Sequence, residues 1–323
     1  MVFTRGCEDP SLMEPYRFRL EPLVQACRRM RPDFDIESMS ILTGLNNLRQ
    51  IFKFASGKDR QPFRIDIQMV GRTMMMTRWE RDPSSMTQTP LCRGYGRGFE
   101  KICTRLEGTQ SESTSHHRIV SYTLGSLSFA VQFEADLRIC DCRVQSQGGP
   151  AVESVDTLDE VERSQDHESS ELEPTDLSIP KLNVTESGTL HTLDCLIEIK
   201  SRDHKNGEMD DIMAQAWLSG STSIYLARHV RGCFNADGAK YMDVTEDLLS
   251  WQRRHQDDIA AFHSILRQVR DTISCSGTTD GAERYALVLQ HTDGRKVLEL
   301  RRRDRGQDML PDDVLQSVWS HGT

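Results

Sequence analysis

The run Leu196-Ile197-Glu198-Ile199-Lys200 sets a carboxylate and an ammonium two residues apart within an apolar stretch. Side chains alternate across a β-strand, so Glu198 and Lys200 share one face and the isoleucines take the other. Burying both charges with no ligand to meet is costly. The pair therefore asks for a partner, and a divalent metal beside a phosphate is the usual one. Upstream, Phe133-Glu134-Ala135-Asp136-Leu137 repeats the pattern and sets Glu134 and Asp136 on one face of a strand. If the two strands are neighbours, Glu134, Asp136, Glu198 and Lys200 meet at one point.

Hard oxygen ligands of this kind hold Mg²⁺ or Mn²⁺, which neutralises a phosphodiester and lowers the pKa of bound water. A lysine beside them can orient that water or stabilise charge developing on the phosphate. Asp…Glu-x-Lys is the signature of PD-(D/E)xK nucleases. A lone Glu-x-Lys also suits the solvated face of an edge strand, and the paired Glu-x-Asp strand is what favours chemistry. A helix expected at 208–218 follows, with Met209, Ile212, Met213 and Trp217 as its apolar stripe and Gln215 beside it. A surface glutamine is the bland alternative; in nuclease cores a polar residue from this helix can reach the scissile phosphate.

The elements that must position these residues are legible as a mixture of helices and strands. Residues 41–55 repeat Leu42, Leu45, Leu48 and Phe52 at helical spacing. Phe63–Val70 and Thr73–Trp79 flank a Gly71-Arg72 turn as a hairpin. A short helix is expected over Arg97–Arg105 and strands over Ile119–Leu124 and Ser128–Ile139 around Gly125. Leu193–Lys200 and residues 223–230 read as strands, 255–273 as an amphipathic helix, and Tyr285–Gln290 with Lys296–Arg301 as a hairpin turning at Asp293-Gly294. Without regular β–α alternation, the expected class is α+β: mixed central β-sheets flanked by helices around a PD-(D/E)xK-type nuclease core.

The net charge of −9 argues against a nucleic-acid partner until it is located. Between residues 150 and 180, ten of the 49 acidic residues face the single basic Arg163, which accounts for the whole imbalance. Residues 145–190, rich in Ser, Glu, Asp, Pro and Thr, are expected to be a disordered acidic insertion in one domain spanning 1–323. The nine cysteines are scattered, with no Cys-x-x-Cys, as expected of reduced thiols in a nuclear or cytoplasmic protein. No apolar run is long enough for a bilayer span, and the acidic N-terminal stretch is not a signal peptide, so no membrane role is expected. Three further motifs have bland readings: Ser115-His116-His117-Arg118 a hydrated turn, Met74-Met75-Met76 strand packing with one exposed position, and Arg301-Arg302-Arg303 a solvated edge.

An ordered series of motifs resembles the DXO family of RNA 5′-end decapping exonucleases, in a divergent fungal-type form. Gly94-Tyr95-Gly96-Arg97-Gly98-Phe99-Glu100 is similar to its glycine-aromatic-x-Phe-Glu element, and Phe133-Glu134-Ala135-Asp136 to its Glu-x-Asp element. Ile197-Glu198-Ile199-Lys200 resembles its Glu-hydrophobic-Lys element, and Ala214-Gln215-Ala216-Trp217-Leu218-Ser219-Gly220, running on to Ala227, its helix–strand element. The resemblance spans about 94–235. It implies that Glu100, Asp136 and Glu198, with the Ile199 carbonyl, hold two Mg²⁺ or Mn²⁺ ions. Glu134 would hold a water on the ion, and Lys200 and Gln215 would act at the phosphate or nucleophile. An upstream arginine on RNA would be Arg64 or Arg72. Leu137 stands where the family has cysteine, and Ser201 where it has threonine.

The implied function is divalent-metal-dependent hydrolysis at an RNA 5′ end: removal of a cap, a 5′ triphosphate or a NAD-type cap, with 5′→3′ exoribonuclease activity as an extension. Two other readings stay open. One is a PD-(D/E)xK nuclease acting on DNA. The other is an inactive partner stabilising a larger 5′→3′ exoribonuclease, against which the intact acidic set argues.

Overall fold

Ile41, Leu42 and Thr43 are all fully buried, and a strand apolar on both faces belongs at the centre of a sheet. The computed structural model, which describes residues 18–59, 61–79, 95–104, 116–139, 182, 184, 192–203, 209–275, 283–292, 295–304, 306 and 308–319, places them there. Among these residues the chain begins α1 (Glu21–Met30), β1 (Ile41–Gly44), α2 (Leu45–Ala55), β2 (Phe63–Val70), β3 (Thr73–Arg78), α3 (Gly96–Cys103), β4 (His117–Leu124), β5 (Leu127–Glu134) and β6 (Leu137–Arg138). It continues with β7 (Leu196–Asp203), α4 (Met209–Ser219), β8 (Ser223–Val230), β9 (Cys233–Asp243), α5 (Thr245–Arg254), α6 (Gln256–Cys275), β10 (Glu283–Thr292), β11 (Arg295–Arg302) and α7 (Asp312–Trp319).

The strands form two mixed sheets. A seven-stranded sheet has the order β11-β10-β2-β3-β1-β5-β4, and a four-stranded sheet the order β6-β7-β8-β9. Strand β1 runs parallel to both β3 and β5, so three strands end on the same side. Helices cover both faces of the large sheet, giving the α+β class. Ile41, Met74, Met76, Phe129 and Val131 point to one face, into a core shared with α2, α4, α5 and α6. Leu42, Met75 and Ala130 point to the other, against Leu23, Val24, Val314 and Val318 of α1 and α7. On the first side Phe52 packs against Trp251, Phe262 and Trp217 with ring centroids 5.7–6.1 Å apart. Such aromatic pairs add about 0.5–1.5 kcal/mol each beyond burial.

This arrangement corrects three expectations. The helical repeat read over 41–55 begins only at Leu45. Leu42 matches the period by coincidence; it packs on the opposite side of the sheet from Leu45 and Leu48. All three methionines of Met74-Met75-Met76 are fully buried, because helices lie on both faces of β3. The strand read as Ser128–Ile139 is two strands in different sheets, β5 ending at Glu134 and β6 starting at Leu137.

The β2–β3 hairpin turns at Gly71-Arg72 as expected, with Gly71 at φ +56°, a conformation glycine adopts without penalty. The acidic segment 145–190 lies outside the described residues apart from positions 182 and 184, as do Asp293 and Gly294. Among the described residues no helix is long and apolar enough to cross a membrane.

Candidate active site

The two sheets meet where the chain leaves β5 for β6, and the predicted site residues gather at that junction. Leu137 pairs with Ile197 in antiparallel register. Continuing that register by one residue sets Asp136 opposite Glu198. The expected adjacency of the Asp and Glu-x-Lys segments therefore holds, but through the two-residue strand β6. Glu134 and Asp136 do not share a face of one strand: Glu134 closes β5 opposite His117, whereas Asp136 lies in the link between sheets. Two hydrogen bonds mark the break. The Ala135 N–H still bonds to the His116 carbonyl, and the next acceptor the small sheet meets is a side chain, the Ile199 N–H donating to Asp136 Oδ2 at 2.8 Å.

Glu198 is 4% exposed and Lys200 shares its strand face. The Lys200 ammonium donates to Glu198 Oε1 and lies 3.9 Å from Asp136 Oδ2. From α4, the buried Gln215 donates its Nε2 to the same Glu198 oxygen. Gln215 is thus buried against Glu198 and not on the surface. Ile212, Met213, Ala216 and Leu218 seat its helix in the main core.

Glu100 arrives from α3. Phe99 stacks on Phe234 at 4.5 Å and is buried with Ile199 and Ala227, which fixes this short helix on the small sheet. A Cβ on Gly96 would come within 3.2 Å of Ser201 Oγ and 3.7 Å of Glu100 Oε1. Glycine at 96 therefore lets α3 lie close enough to β7 to bring Glu100 in.

Glu100, Glu134, Asp136, Glu198, Lys200 and Gln215 all line one cavity of about 490 Å³. Its other walls are the ends of the co-directional strands β1, β3 and β5 and the first turn of α2. Gly44 begins α2 with no side chain capping it, so the positive end of that helix dipole faces the cavity.

Asp136 carries the electrostatic signature of the site. Burial, then the charge of Glu198, push its carboxyl up to about 7; Lys200 and the Ile199 N–H oppose the rise and Glu100 adds to it. Among the described residues no group of three or more His, Cys, Asp or Glu side chains is drawn together as a metal site. The Lys200 ammonium instead lies against the carboxylates. The donor set still fits a hard divalent cation: Glu100 and Glu198 both repel charge on a buried Asp136, and a cation would relieve that repulsion.

Several cavity residues were not anticipated. His117, set aside as part of a hydrated turn, starts β4 and lines the cavity, as do Arg19, Arg49, Arg78 and Asn47. Arg64 and Arg72, the sequence candidates for contacting RNA, are not among its walls. Arg64 pairs with Asp66 at 2.7 Å and lies over Trp79, and the Arg72 carbonyl accepts from Arg270. Nothing in the sequence singled out His117 or Arg78.

A family model described as Domain of unknown function (DUF8563) matches residues 11–319. The chain belongs to this family. No curated protein matches the DUF8563 chain in sequence. Solved structures do match it in fold. One is Candida albicans Rai1 in complex with pU5-Mn²⁺, 12% identical, with 99% of this chain and 86% of that one covered and a TM-score of 0.62. Scheffersomyces stipitis Rai1 in complex with (3′-NADP)⁺ and calcium ion is 11% identical over 93% and 80% of the two chains, TM-score 0.60. S. pombe Rai1 in complex with 3′-FADP is 15% identical over 92% and 84%, TM-score 0.54. The DUF8563 chain therefore has the fold of the DXO-family decapping exonucleases.

Proposed function

We propose that this protein is a divalent-metal-dependent hydrolase of RNA 5′ ends, removing a cap, a triphosphate or a nucleotide-cofactor cap and able to continue 5′→3′ along the strand. The observation that carries the reading is the convergence of Lys200 and Gln215 on Glu198, with Asp136 tied to Ile199 beside them, in a cavity also lined by Arg19, Arg49 and Arg78. Carboxylates for cations and guanidiniums for phosphates in one cavity suit a polyanionic substrate. The fold supports it, since structures sharing it hold pU5 with Mn²⁺, 3′-FADP or (3′-NADP)⁺ with calcium. The scattered thiols suit the nucleus or cytoplasm.

Glu100, Asp136, Glu198 and the Ile199 carbonyl would hold two Mg²⁺ or Mn²⁺ ions, which when bound neutralise the phosphodiester and acidify water. The protein's own groups do the rest. Gln215 orients Glu198 through its Nε2 donor, and the Ile199 N–H pins Asp136. Lys200 sets its Nζ where the phosphate gains negative charge. Glu134, exposed at the cavity wall, accepts a hydrogen bond from the attacking water. The water oxygen forms the new P–O bond, the bond to the departing nucleotide oxygen breaks, and the water's proton ends on solvent or that oxygen.

Asp136→Asn and Glu198→Gln are each expected to reduce Mn²⁺-dependent release of 5′ fragments by at least about a hundredfold with unchanged circular dichroism. Full activity in both variants would end this reading. A matched RNA and DNA panel separates it from a DNA nuclease. Absence of metal binding by calorimetry, together with co-purification with a 5′→3′ exoribonuclease, would mark a stabilising partner instead.

A further inference from the structure

A second charged cluster adjoins the site with the opposite balance. Arg49 and Lys53, one turn apart on α2, and Arg202 on β7 all approach one carboxylate, Asp211 of α4, at 3.3, 2.8 and 3.9 Å. A tie between a helix and a sheet needs one cation for one carboxylate. Here three share it, leaving a surplus of two positive charges within a single cluster. The side chains are 23%, 39% and 31% exposed, so they are half-open to a ligand from solvent. The Arg49 Nε–H is buried with no acceptor, a donor left over after the Asp211 and Asn46 contacts.

The cluster is continuous with the cavity. Arg49 is one of the cavity's walls. Arg202 follows Lys200 by two residues, on the same strand face and roughly 7 Å further along. Lys53 extends the row outward along α2.

We infer that Arg49, Lys53 and Arg202 form a phosphate-binding groove for the part of the nucleic-acid strand beyond the nucleotide being cleaved, with Asp211 tempering its grip. Guanidiniums present forked donors to phosphate oxygens and Lys53 a point charge, a mixture suited to backbone rather than base recognition. Asp211 holds the three side chains in place and weakens their hold, so the strand can advance. The inference rests on the proposed nucleic-acid reading of the cavity.

The test measures binding of 5′-phosphorylated oligouridylates of two and six nucleotides to wild type, Lys53→Gln/Arg202→Gln and Asp211→Asn, between about 50 and 200 mM salt. The double variant is expected to bind the hexamer about tenfold more weakly. Its log–log salt dependence should be shallower by about 0.7 per lost phosphate contact. Dinucleotide binding and the saturated cleavage rate should match wild type, and thermal melting should show a folded protein. Asp211→Asn should tighten hexamer binding several-fold, which a purely structural tie would not do. Hexamer affinities and salt slopes equal to wild type in a protein that does bind and cleave RNA overturn the groove alone. Weakened hexamer binding by Asp211→Asn overturns it too. A wild type that neither binds nor cleaves RNA overturns the parent reading.

Discussion

Asp136 and Asp211 are both aspartates beside strand β7, the first mostly buried and the second partly so, and their environments drive them in opposite directions. Asp136 sits among carboxylates: burial and Glu198 lift it to about 7. Burial also pushes Asp211 upward, but the Lys53 hydrogen bond and the charges of Arg49, Lys53 and Arg202 bring it below the ordinary carboxylate range. Around Asp136 the carboxylates Glu100 and Glu198 outweigh Lys200, whereas around Asp211 three cations share one carboxylate. That difference teaches what each region suits: the first a cation, the second an anion. A phosphodiester escorted by divalent metal meets both demands at once.

Lys200 is the residue that breaks the contrast most severely. Lys200→Met removes the ammonium that touches Glu198 and stands near Asp136, making the carboxylate region more repulsive and removing charge from the phosphate. Single-turnover cleavage with Mn²⁺ should fall at least about a hundredfold. A near-normal rate with a folded protein would show that Lys200 only balances charge.

The pH dependence of stability sharpens the contrast. Asp136 is raised in the folded state, so its favourable contribution is full below the unfolded carboxylate range and is lost as pH climbs towards about 7. Asp211 is lowered, so its contribution is present above the ordinary carboxylate range and lost as pH falls through the depressed folded value. Metal-free wild type should therefore lose melting temperature between pH 5 and pH 8 relative to Asp136→Asn. Mn²⁺ should restore more at the higher pH, where it does not compete with a proton. Parallel melting curves for the two proteins across that range would refute this account of Asp136.

The smallest effect belongs to a neighbouring pair. Lys58 and Asp210 make an ion pair at 2.8 Å with both side chains nearly half exposed. Lys58→Met should change stability by less than about 1 kcal/mol in chemical denaturation and leave RNA binding unaltered. A larger loss would mean the cation-rich region extends one residue further along α4.

Much of this site was legible because its residues lie on strands and short motifs with local periodicity. Glu198 and Lys200 share a face by the geometry of any strand, and the apolar stripe of α4 locates Gln215 beside them. Glu134 and Asp136 were read on one strand, and that failed because a strand can leave one sheet for another with no local sequence mark. Beyond the parting at Ala135, Asp136 accepts from the Ile199 N–H, 63 residues away in the chain. Leu42 shows the same limit, since helical spacing cannot tell whether a leucine continues a helix or occupies the buried strand before it. Arg49, Arg78 and His117 were missed for a related reason: each is ordinary in its own segment and joins the cavity only by assembly.

The sequence by itself determined the chemical inventory: four acidic residues, a lysine and a glutamine in motifs whose strand and helix periods orient them locally. It also located the net negative charge, confining it to one acidic segment. Only the tertiary structure decided which groups meet. It seated Glu100 on β7 through Gly96 and Phe99, set Asp136 opposite Glu198 at the end of the β6–β7 pairing, and turned Arg49, Lys53 and Arg202 upon a single aspartate. The physical reason is range. Backbone periodicity acts over a few residues, whereas desolvation and Coulomb interaction depend on distance in space, which packing sets.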